Sequence, residues 1–260
     1  MRSKINQLKK IKVGIVNYLN TKPLLYGITH SPVRETIELV EDYPSNVASY
    51  LLAGEIDIGL VPVAVLPEMK EYHIYTDYCI GSNGPVASVC LFSDVPINEV
   101  ESVLLDYQSR TSVALLKVLL RDYWKTTPKL INTKSDYRSS IKGTTAGLVI
   151  GDRSLEQRKH SRYIYDLGEA WKQHTGLPFV FAAWISRSVL KNDFVHSFNE
   201  ANRFGIENIS TVIRHDTGDL FDLKEYYSKY ISYSLDEDKR KGLAHFLALL
   251  PSIKPHYLGY

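Results

Sequence analysis

DYQSRTSVALLKVLLRDYW, residues Asp106 to Trp124, is the stretch around which the rest of the chain can be read. Its first residues end an apolar strand-like run, Val103 to Tyr107. From Val113 onward Leu116, Leu119, Leu120 and Tyr123 follow at spacings of three and four, which predicts a helix with one buried face. Between strand and helix lies a polar turn, Gln108, Ser109, Arg110, Thr111 and Ser112. The first N–H groups of a helix lack partners within it and the helix dipole is positive there, so such a turn suits a carboxylate or phosphate. Two readings stand side by side: Ser109 or Thr111 caps the helix, or Ser109, Arg110, Thr111 and Ser112 together hold an anion.

A second unit of the same kind opens the chain. Ile11 to Asn17 reads IKVGIVN, a short β-type run, and is followed by YLNTKP. Pro23 suits the first turn of a helix through Leu24 to Gly27, with Asn20 or Thr21 as its cap. A strand over Thr36–Glu41, a helix opening at Pro44 and stopping at Gly54, and the nearly continuous apolar run Ile56 to Val63 come next. Strand and helix thus alternate, which predicts a parallel α/β sheet.

Past Pro67 the pattern changes. Two β-type runs, Tyr72–Ile80 and Val86–Phe92, flank Gly81-Ser82-Asn83-Gly84-Pro85, either a hairpin turn or a cradle in which Ser82, Asn83, Gly84 and nearby Ser88 touch a ligand. The turn has neither the Lys-Ser/Thr of a P-loop nor a GxGxxG, so no nucleotide is expected. A second alternation follows: strand 103–107, helix 111–124, strand Leu130–Thr133, strand Ala146–Ile150, helix Arg153–Lys159, strand Tyr163–Asp166 and a helical segment Leu167–His174. Phe179–Ile185 is an apolar strand, and helical spacing then covers 189–204, 205–213, 219–230 and 236–250. The expected fold is α/β and bilobal, with residues 1–84 and 182–260 in one lobe, 85–181 in the other, two extended crossings, and a ligand cleft between the lobes. Both strand–turn–helix units would face that cleft.

Composition narrows the function. Hydrophobic residues make up 44% of the 260 and charged residues 23%, enough to bury a full core. Lys plus Arg is 31 against 29 for Asp plus Glu, which gives no reason to expect nucleic acid or an acidic membrane as partner. No run of 18 apolar residues occurs, and MRSKINQLKK lacks the apolar core of a secretory signal. Cys79 and Cys90 sit in apolar strands, as buried thiols of a reducing compartment would, and a cytoplasmic protein is expected. The eight histidines show no HExxH or Cys/His spacing, so no metal is expected, and no GxSxG elbow appears. Eighteen tyrosines are spread along the chain and read as packing. Asp57, Asp106 and Asp152 lie at strand or helix ends; a capping role is the plain reading and a cleft contact, for Asp152, the sharper one. KPHYLGY at the end reads as a surface tail.

VNYLNTKPL, GEIDIGLVP, DYCIGSNGPVASV, DYQSRTSVALLKVLL, LVIGD and DLGEAWKQHTGLPFVFAAW together resemble the chorismate dehydratases of the futalosine route to menaquinone. The resemblance runs from about Val13 to about Trp184, and YLNTxPL and SRTS are its specific parts; GEIDIGLVP is shared more loosely by many periplasmic-binding-type proteins. It implies a type 2 periplasmic-binding-protein fold used as a cofactor-free lyase that converts chorismate to 3-[(1-carboxyvinyl)oxy]benzoate, the first step of that route. It also places Asn20 close to the reacting carbons, as a catalytic residue that bonds the leaving hydroxyl or orients the substrate. Ser109, Arg110, Thr111 and Ser112 would bind one carboxylate, and Ser82, Asn83, Gly84 and Ser88 the other or the hydroxyl. The partner implied is the small molecule alone, a homodimer being the one assembly left open. A solute-binding protein for a small organic anion, and the sister dihydroxynaphthoate-forming lyase, are the alternatives.

Overall fold

A computed structural model of the chain describes residues 10–215 and 221–252. The tail KPHYLGY lies outside them. Eleven strands form two sheets among the described residues. The first contains β1 (Ile11–Ile15), β2 (Ile37–Glu41), β3 (Ile58–Pro62), β4 (Tyr78–Ser82), β10 (Phe179–Ser186) and β11 (Ser232–Ser234), in the order β11-β4-β10-β3-β1-β2. The second contains β5 (Val89–Ser93), β6 (Ser102–Leu105), β7 (Lys129–Asn132), β8 (Thr145–Ile150) and β9 (Tyr163–Asp166), in the order β7-β6-β8-β5-β9. β1 pairs in parallel with β2 and β3, and β6 with β7 and β8, while β10 and β5 run antiparallel to both their neighbours. Every residue of β3 and of β5 is buried, as near-continuous apolar runs covered on both faces require.

The helices are α1 (Lys22–Thr29), α2 (Pro44–Ala53), α3 (Arg110–Asp122), α4 (Asp152–Gln157), α5 (Leu167–Thr175), α6 (Asn192–Glu207), α7 (Ile209–His215), a turn α8 (Leu223–Glu225) running into a π-helical turn at Tyr226–Tyr230, and α9 (Glu237–Leu249). α1 and α6 cross at two glycines. A Cβ on Gly27 would stand 2.0 Å from the Ala201 carbonyl oxygen, and one on Gly205 1.9 Å from that of Pro23, so the backbones touch because neither residue has a side chain. α3 is buried from Thr111 to Leu120, more than the single stripe its periodicity predicts, because α5, β8, β10 and the short helical segment Val63–Glu68 of the first lobe all pack against it.

The two runs flanking the glycine-rich turn do not form a hairpin. Tyr78–Ser82 belongs to the first sheet and Val89–Ser93 to the second, so residues 83–88 carry the chain from one to the other. Gly84 (φ 118°) and Ala87 (φ 61°) bend this crossing. Asp166 at the start of α5 holds it, accepting from the N–H groups of Val86 (3.0 Å) and Ala87 (2.7 Å) as well as from Gly168 (3.0 Å) and Glu169 (3.1 Å). Of the predicted helix over 219–230, residues 219 and 220 lie outside the described residues and Leu223–Tyr230 is helical, its second part π-helical, while β11, too short to announce itself by alternation, extends the first sheet beyond β4. No described helix is long and apolar enough to cross a membrane.

Candidate active site

A cavity of about 60 Å³ lies between the two sheets. Its walls include Val16, Tyr18, Asn20 and Thr21 from the segment after β1, Leu60 and Pro62 of β3, Val86 of the crossing, Val89 at the start of β5, Ser109 and Ser112 at the start of α3, and Ile150 and Gly151. The two strand–turn–helix units read from the sequence therefore meet at one place.

The first unit is folded by Thr21. Its hydroxyl donates to the carbonyl oxygens of Val16 and Tyr18 and accepts from the Tyr18 N–H at 3.1 Å, which turns YLNT into a single 3-10 turn, Leu19–Thr21. Asn20 stands at its middle. The Asn20 Oδ1 atom is buried and has no hydrogen-bond partner among the described residues. A buried carbonyl of this kind costs stability unless a donor reaches it, so it points to a ligand group that supplies one.

The second unit is capped by Ser109, whose side chain accepts from the Ser112 N–H at 3.2 Å; the two hydroxyls are 2.9 Å apart. The capping reading holds for Ser109, and of the four residues read as an anion site Ser109 and Ser112 line the cavity. The other candidates are placed differently. Thr111 Oγ1 accepts from the Ala64 N–H at 3.1 Å, and the Arg110 guanidinium lies 3.0 and 3.1 Å from the Glu68 carboxylate, so both tie α3 to the first lobe. Ser88 Oγ accepts from the buried Tyr226 hydroxyl at 2.8 Å. Ser82 Oγ is buried without a partner but lies against Gly168, Asn83 is exposed, and Gly84 presents its carbonyl to Gly168. None of these six belongs to the cavity wall.

Several further groups surround the YLNT turn. The Tyr18 hydroxyl donates to Gln108 Oε1 at 2.5 Å, and the same oxygen accepts from Arg153 Nη2 at 2.7 Å. Arg153 Nη2 also donates to buried Asp106 at 2.8 Å, and Asp106 accepts from the Gln108 N–H and the Tyr137 hydroxyl. Burial outweighs the guanidinium and raises Asp106 above the ordinary carboxylate range. Tyr18 is pushed well above its ordinary value, by burial first and the Asp106 charge second, so it stays a neutral donor. Asp152, in the first turn of α4, accepts from the Leu19 N–H at 3.2 Å. From the C-terminal part, Tyr227 and Tyr233 donate to the carbonyls of Leu19 (2.9 Å) and Asn20 (2.8 Å). Tyrosines read as packing thus serve as hydrogen-bond donors around the turn. Nothing in their spacing marks this.

Among solved structures the chain is similar to a protein from Archaeoglobus fulgidus (TM-score 0.74, 17% identical, 94% of this chain and 97% of that one). It is also similar to a Candida albicans protein described as having the generic periplasmic binding protein fold (TM-score 0.62, 15%, 96% and 94%). These likenesses concern the fold, which is of the periplasmic-binding-protein type. By sequence the chain is 28% identical to the chorismate dehydratase of Thermus thermophilus, covering 92% of this chain and 94% of the relative. The Campylobacter jejuni chorismate dehydratase is 23% identical over 90% and 95%. A family model described as menaquinone biosynthesis matches residues 11–251, so the chain belongs to the menaquinone biosynthesis family.

Proposed function

We propose that the protein is a chorismate dehydratase, eliminating water from chorismate to give 3-[(1-carboxyvinyl)oxy]benzoate. The observation that carries this is the likeness to chorismate dehydratases along more than nine-tenths of the chain, joined to a cavity built from the YLNT and SRTS turns. In the reaction the C3–H and C4–O bonds break; the C3 electron pair becomes the third ring double bond, and the proton and hydroxide leave as water. The ring carboxylate is conjugated with C3 and takes up charge as the proton departs. Ser109, Ser112 and the first N–H groups of α3 are suited to hold that carboxylate and stabilise the charge. Asn20, whose Oδ1 awaits a donor, accepts from the C4 hydroxyl and orients it for departure.

Among the described residues the cavity walls hold no carboxylate, imidazole or amine, and Tyr18 is kept neutral. The proton is then taken by the substrate's own second carboxylate or by a water. Cys79 and Cys90 are buried free thiols, in keeping with a reducing, cytoplasmic setting. Purified protein mixed with chorismate tests the reading. A product one water lighter, with loss of the chorismate near-ultraviolet absorbance, is expected. Tight binding of unchanged chorismate would favour a solute-binding protein instead.

A further inference from the structure

The turn that carries Asn20 belongs to the first lobe, yet two of its hydrogen bonds come from the second. Gln108 Oε1 accepts from the Tyr18 hydroxyl at 2.5 Å and is itself fixed by Arg153 Nη2 at 2.7 Å, which in turn is anchored on Asp106. Asp152 Oδ1 accepts from the Leu19 N–H at 3.2 Å. Between these contacts the Tyr18 ring lies on Gly151, where a Cβ would stand 3.2 Å from two ring carbons and where φ is +61°. The residues just before Asn20 are therefore seated on the second lobe by two bonds and one flat contact.

Resting on the reading of Asn20 given above, we propose that Gln108 and Asp152 are positioning residues, which seat Tyr18 and Leu19 when the lobes close and so set the Asn20 amide against the substrate. Neither belongs to the cavity wall, so each acts through the turn. An error of about 1 Å in the placement of a reacting or orienting group can cost on the order of 100-fold in rate, and loss of one of two seats should cost about tenfold in kcat.

The test measures kcat and KM for chorismate, with thermal midpoints alongside, in Asn20→Ala, Tyr18→Phe, Gln108→Leu, the Tyr18→Phe/Gln108→Leu double variant, Gln108→Glu, Asp152→Ala and Asp152→Asn. Asn20→Ala should be nearly inactive. Tyr18→Phe and Gln108→Leu should each lower kcat about tenfold while KM moves less, and the double variant should be no slower than the slower single one. Gln108→Glu and Asp152→Asn, which keep an oxygen acceptor, should recover most of the rate lost in Gln108→Leu and Asp152→Ala. If Gln108→Leu does not fold, Tyr18→Phe removes the same bond from the other side and decides alone. Lowered midpoints with wild-type kcat, or effects that multiply in the double variant, overturn the positioning role while leaving the Asn20 reading intact, provided Asn20→Ala is inactive. Wild-type turnover in Asn20→Ala overturns that reading and the proposal with it.

Discussion

Asp166 offers a prediction whose size can be worked from the structure. Its carboxylate is buried and accepts from four backbone N–H groups, two in the interlobe crossing (Val86, Ala87) and two in the first turn of α5 (Gly168, Glu169). In Asp166→Ala the α5 cap is lost, about 1 kcal/mol. The N–H groups of buried Val86 and Ala87 are left without this partner, at about 1–3 kcal/mol each when nothing replaces it. One contribution opposes these: burial raises Asp166 above the ordinary carboxylate range, so removing it relieves a desolvation cost. The net expectation is a loss of about 3 kcal/mol. Asp166→Asn keeps one oxygen but turns an NH₂ toward the remaining donors, and should lose somewhat less. Urea unfolding monitored by circular dichroism measures this as a lower midpoint at unchanged slope. An unfolding free energy within about 1 kcal/mol of wild type for Asp166→Ala would refute the view that this carboxylate fixes the crossing.

Three further expectations follow from other parts of the molecule. Ser112→Ala removes a hydroxyl at the cavity but leaves its N–H bonded to Ser109, so chorismate binding should weaken by about 1.5–3 kcal/mol with the fold unchanged; equal affinity by calorimetry would remove Ser112 from the site. Gly205→Ala forces α1 and α6 apart and should lower the thermal midpoint by several degrees, whereas an unchanged midpoint would mean the crossing can relax. Lys117 is buried on α3, and desolvation lowers it from 10.5 to about 8. Between those values the unfolded chain holds a proton that the folded protein has lost, so the cost of the charge is complete below about pH 8 and relieved as pH rises toward 10.5. In Lys117→Met this pH dependence should be gone, so the stability of the variant relative to wild type should fall as pH rises from about 8 toward 10.5; a difference from wild type that does not change with pH would contradict this.

What the sequence made legible was local. The 3.6-residue spacing of Val113 to Leu120, the cap at Ser109, the stop at Gly54 and the Pro23 helix start are written in neighbouring residues, and each appears where expected. The hairpin reading of residues 81–85 failed because β-type runs do not state which sheet they join; the crossing that replaces it is held by Asp166, some 80 positions away. Arg110 read as a ligand-facing cation, yet in the fold it has a carboxylate partner in Glu68 that no spacing announces. The network of Tyr18, Gln108, Arg153 and Asp106 was missed for the same reason, since its members lie on three segments brought together only by the two sheets. Asn20 was singled out through a motif, whereas its orphaned carbonyl is a property of the folded turn.

The central claim is that chorismate is held and dehydrated between the YLNT turn and the N-terminus of α3. A crystal structure of the Asn20→Ala protein soaked with chorismate tests it most directly. The account predicts the ring carboxylate at Ser109, Ser112 and the first N–H groups of α3, with the C4 hydroxyl turned toward the Asn20 position. A ligand bound elsewhere, or in this cavity with its ring carboxylate turned away from α3, would contradict it.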